Sequence, residues 1–81
     1  MESLSLIQGK FTESEAVDII SSMVEVKIKF HENKITNTSN EEDIKMQEAR
    51  IKELQNDLAA LKKSIAAKGG KIEVKAVVTV G

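Results

Sequence analysis

The chain has no cysteine, no proline, no tryptophan and no tyrosine, and it has one histidine. Without cysteine there can be no disulfide and no thiolate metal site. A single histidine excludes a multi-histidine metal site within one chain. Phe11 and Phe30 are the whole aromatic content, so the ring platforms on which nucleic-acid binders stack bases are nearly missing. The net charge of -1 gives no overall pull toward nucleic acid or an anionic membrane. No apolar run approaches the roughly 20 residues of a membrane-spanning helix. Glu2 stands where a signal peptide carries basic residues, and Leu4–Ile7 is too short for a signal core. Together these absences predict a cytoplasmic protein, with neither membrane nor nucleic acid as its partner.

A chain of 81 residues makes one domain and buries only a modest share of its surface. Small scaffolds of this kind need a disulfide, a metal or a partner chain. With the first two removed, oligomerisation is the means of stabilisation left.

What the chain does have is clear helical and strand patterning. Leu4 and Leu6 alternate with Ser3 and Ser5, which predicts a first strand over about residues 4–10, with Gly9 marking a bulge or the end of pairing. Thr12-Glu13-Ser14-Glu15 is a capping box, in which the Thr12 hydroxyl accepts from the Glu15 amide and the Glu15 carboxylate reaches back. A helix over about 13–33 follows. Ala16, Ile19, Ile20, Met23, Val26 (or Lys27) and Phe30 share its helical spacing, while Val17, Val24 and Ile28 lie off that stripe, so the helix is apolar on more than one face. Val24 to Phe30 also alternates, which alone would read as a strand. No turn residue separates it from the capped start, and the 3.6 period runs through, so helix is expected.

Residues 34–39 are rich in Asn, Thr and Ser and form the loop. Ser39 or Asn40 can cap the second helix, and Ser39-Asn40-Glu41-Glu42 matches a second capping box. That helix, over about 40–68, carries the most regular pattern. Ile44, Ile51, Leu58 and Ile65 recur every seven residues, Leu54 and Leu61 fill positions between them, and Gln47 and Lys68 interrupt the seam. Gly69-Gly70 stops the helix. A last strand over about 71–80 puts Ile72, Val74, Ala76, Val78 and Val80 on one face.

The predicted fold is therefore mainly α, in the order β-α-α-β. An antiparallel, coiled-coil-like two-helix hairpin returns the chain to its start, so the short N- and C-terminal strands can pair. Two strands alone are marginally stable, and a long apolar last strand would be an unprotected edge. Helix one also has more apolar surface than helix two can cover. Both features predict a homo-oligomer, most simply a two-fold dimer, with Ile20, Val24, Ile28, Val74, Val78 and Val80 as interface residues.

The chemistry-bearing groups are few. His31-Glu32 is the one base next to a carboxylate, but adjacent helical positions point about 100° apart and do not cooperate. His31 reads either as a base or half a metal site, or as a polar residue of the helix end. Lys27, Lys29, His31 and Lys34 form a weakly basic stretch that either binds a phosphate-bearing ligand at an interface or solvates a face. Lys62, Lys63, Lys68, Lys71 and Lys75 cluster around Gly69-Gly70, but no strand precedes the glycines and no GKS or GKT follows, so this is not a phosphate-binding loop. Charge is segregated: residues 62–81 hold five lysines against one glutamate, whereas 1–32 and 41–57 each hold three basic and six acidic residues. Opposite ends of two copies could attract. No nucleophile elbow, paired catalytic carboxylates or zinc pattern is present.

The expected function is a non-enzymatic oligomeric scaffold, adaptor or small protein inhibitor, with a protein partner and with no cofactor or metal. The alternative is a small oligomer that binds an anionic ligand or nucleotide between protomers through Lys27, Lys29, His31 and Lys34. Small phage-encoded inhibitors and nucleotide-sequestering proteins fit this size, so the alternative extends to a phage-encoded protein acting against host defence signalling.

Overall fold

The computed structural model describes residues 2–81. Its elements are β1 (Glu2–Phe11), α1 (Glu13–Thr36), α2 (Glu41–Lys68) and β2 (Ile72–Val80), and 65% of the described residues are helical. The β-α-α-β hairpin is thus the fold, and Val24 to Phe30 is helix. Helix α1 is longer and the loop shorter than the composition of 34–39 implied, while α2 keeps its expected extent. Lys34, Ile35 and Thr36 continue α1, because the Thr36 hydroxyl bonds back to the Glu32 carbonyl at 3.1 Å. That leaves Asn37 to Asn40 to make the turn.

Local chemistry sets the helix ends. The capping box forms: the Glu15 amide donates to Thr12 Oγ1 at 3.1 Å, and the Thr12 amide donates to Glu15 Oε1 at 2.9 Å. At α2, Asn40 alone is the cap, its Oδ1 accepting from the Glu42 and Asp43 amides at 2.9 and 3.3 Å. The Ser39 capping box therefore does not form; the Glu42 amide it needs is already taken. Gly69 and Gly70 have φ of 67° and 68°, a left-handed pair that side chains oppose, and the chain turns there into β2.

β1 and β2 pair antiparallel as a two-stranded sheet, from Glu2 against Val80 to Phe11 against Ile72. Gly9 neither bulges nor ends this pairing. It faces Val74, and the Phe11 ring lies 3.7 Å from where its Cβ would be, covering a residue that has no side chain to pack. The irregularity falls instead between Ser5 and Ile7, with Leu6 the extra residue. The bulge resolves a parity conflict. Leu4 is even and Ile7 odd, yet they oppose Val78 and Ala76, which share a face.

The core is small and sits where ribbon and hairpin meet. Ala16, Ile65, Ile72 and Val74 are buried, with Ile7, Phe11, Val17 and Ile20 packed on them. Above this junction the helices meet along half-buried Val17, Ser21, Val24, Ile28, His31 and Ile35 of α1, which follow the alternating three-and-four spacing of a heptad seam. Val26 and Phe30 of the other apolar stripe face outward, Phe30 being 54% exposed. The docked stripe is the one whose spacing matches the α2 seam, although two of its six residues are polar. In α2, Ile44, Gln47, Ile51, Leu54, Leu58 and Ile65 are buried or half-buried, while Leu61 is exposed.

Candidate functional site

Two places in the fold bring together groups beyond ordinary packing. The first is a polar layer in the hairpin seam. His31 Nδ1 and Gln47 Oε1 lie 2.5 Å apart. With the amide oxygen as acceptor, the Nδ1–H donates. Gln47 is 8% exposed, so the residue that looked like an interruption of the seam is one of its most buried members. His31 thus pairs across the hairpin, with the Phe30 ring edge-on to it at 5.6 Å. One polar pair among aliphatic neighbours disfavours any slipped pairing of the helices, since a slip would bury two unpaired polar groups.

The four residues of the basic stretch do not converge. Lys27 and His31 line one shallow hollow with Arg50, Glu53, Leu54 and Asp57. The carboxylates of Glu53 and Asp57 oppose the basic groups there, and Arg50 lies 3.7 Å from Glu53. Lys29 is held on the outer side of α1, 4.0 Å from Glu25. Lys34 lies over the Phe30 ring, 4.6 Å from its centre. No group of three or more His, Cys, Asp or Glu residues is placed to hold a metal ion among the described residues. No helix among them is long and apolar enough to cross a membrane. Of the titratable groups, Glu15 stands out: the Thr12 amide, then the Thr12 hydroxyl, and to a lesser degree the charge of Lys71 hold its carboxyl below the usual range against a weaker opposing desolvation. That shift belongs to the helix cap.

The second place is the free edge of β2. The sheet has two strands, so each strand has one unpaired edge. Along β2 that edge borders an open, largely apolar hollow of about 320 Å³, lined by Ile20 of α1, by Leu61, Ser64, Ile65 and Lys68 of α2, and by Ile72 to Lys75 of the strand itself. This is why Leu61 is exposed despite its seam spacing.

The six residues expected to form an interface divide between covered and open positions. Val74 is part of the core and Ile20 packs against it. Val24 and Ile28 are half-buried in the hairpin. Val78 and Val80 lie open to solvent, together with Leu4, Leu6 and Val77. Leu61, Ser64 and Lys68, which flank the strand edge, gave no such signal in the sequence; position in the fold brings them there. Compared with models of known protein families, with curated proteins and with solved structures, the chain shows no match.

Proposed function

We propose that this is a non-enzymatic interaction protein that works by covering its open β-ribbon and strand edge with protein. One observation carries the reading: the chain exposes 6240 Å², about 1,400 Å² more than the roughly 4,800 Å² expected of a compact monomer of this mass. The radius of gyration agrees, at 15.3 Å against about 12 Å for a compact chain of this length. The excess is not polar decoration, for it includes the apolar side chains of the ribbon tip. Exposed apolar side chains gathered at one tip, as Leu4, Leu6, Val77, Val78 and Val80 are, mark a site of association.

The anion-binding alternative finds less support. Of its four residues only Lys27 and His31 share a hollow, and two carboxylates share it with them.

The test replaces Val78 and Val80 together by lysine. Both are exposed, so the fold should persist, with unchanged helical circular dichroism. Association with protein, whether another copy or a different chain, should be lost. If the variant keeps the mass, the thermal stability and every binding partner of the parent, the ribbon is inert and the reading fails.

A further inference from the structure

We infer that the occupant of the β2 edge is the β2 strand of a second copy, paired antiparallel about a two-fold axis at Ala76. The inference rests on the interaction reading above and names the partner.

The two edges of the ribbon are not equivalent. β1 carries the irregularity between Ser5 and Ile7, whereas β2 runs nine residues without one. Bulges blunt an edge, and a regular apolar edge is a template for pairing. β2 is therefore the edge to which a strand can add.

The register follows from three constraints. Opposed residues of antiparallel strands lie on the same face of the sheet. A two-fold axis through a residue of β2 therefore opposes its apolar face to itself. Centring that axis on Ala76 pairs all of Ile72–Val80, and any other centre pairs less. It also avoids like charge. An axis at Lys75 would set Lys75 against its own copy, whereas the axis at Ala76 sets Lys75 against Val77 and Glu73 against Thr79.

The consequence for packing is what favours a second copy. In this register the exposed Val78 and Val80 of one chain lie beside the buried Val74 and Ile72 of the other, about 4.8 Å away across the ladder. That is the side on which Ile20, Leu61 and Ile65 leave the open hollow. Each ribbon tip then extends the other chain's core, and the arrangement is reciprocal, as a two-fold contact requires.

The test uses the absence of native cysteine. The full chain should sediment at twice 8.9 kDa and fall to one chain in the Val78→Lys variant, with helicity retained. Under mild oxidation Ala76→Cys should form a covalent dimer, because opposed residues at the axis lie within the Cα separation a disulfide needs. Thr79→Cys should not, since the two copies of residue 79 would be about 20 Å apart along the strands. A dimer in which Ala76→Cys stays uncrosslinked, or Thr79→Cys crosslinks equally well, overturns the pairing while leaving the interaction reading intact. A chain that stays at single mass at every concentration also overturns it. In that case the interaction reading survives if a different protein binds the parent and is lost by the Val78→Lys, Val80→Lys variant.

Discussion

The base and the tip of β2 place apolar residues on the same face and have opposite environments. Ile72 is 6% exposed and Val80 is 64% exposed, although both lie on the apolar face of one strand. At the base that face meets Ala16 and Ile65; at the tip Val78 and Val80 are open among the described residues. Alternation thus specifies which face of a strand is apolar, and the placement of other elements decides whether that face is covered. The uncovered half is where the molecule has surface to spare.

This contrast can be broken by mutation. Ile72→Ala should cost about 2–4 kcal/mol, since it removes a buried side chain from a core too small to close over the loss. Val80→Ala, measured where the chain is monomeric, should stay within about 0.5 kcal/mol. Chemical denaturation of both variants over a concentration series checks this. A Val80 cost as large as that of Ile72, growing with concentration, would mean that the tip too is covered in solution.

The polar layer offers the next largest effect. Gln47→Ala should lose about 1–3 kcal/mol by leaving the His31 donor without its partner. Replacing His31 and Gln47 together by leucine should recover most of that, and a double-mutant cycle reads the coupling. If the single and double variants cost the same, the pair contributes nothing beyond packing.

The capping box is worth less. Thr12→Ala should cost about 1 kcal/mol, read as a lowered unfolding midpoint. Ser21 predicts a change of the opposite sign. Its hydroxyl is buried without a hydrogen-bond partner, so Ser21→Ala should stabilise the chain by about 1 kcal/mol. The smallest effect is that of pH. The Glu15 carboxyl titrates below its ordinary value in the folded chain, so its contribution is present above the ordinary carboxylate range and is lost as pH falls through the lowered value. Thermal unfolding of Glu15→Gln should lack that part of the acid dependence.

Much of this fold was legible because its signals are local. The Thr12–Glu15 box, the glycine pair and the seven-residue recurrence in α2 each act within a turn or two of helix. The stripe of α1 that docks was harder to read. Ser21 and His31 interrupt its heptad, while Ala16, Ile19, Ile20, Met23 and Phe30 offered a more apolar competitor on another face. Its partner had to be known before it could be chosen. Gln47 was opaque for the same reason, being a flaw in one helix and a match in two. The bulge at Leu6 was encoded as a change of parity between Leu4 and Ile7, a weaker mark than the glycine three residues on. The hollow beside β2 had no mark in the sequence, since it exists only where three elements pass one another.

The interrupted strand β1 has a further consequence. A two-stranded ribbon with two regular edges would be divalent, and each addition would expose a fresh edge for the next, the growth law of a fibre. The extra residue at Leu6 leaves one regular edge. With β2 paired as proposed, no second regular edge would remain, and growth would stop at the pair.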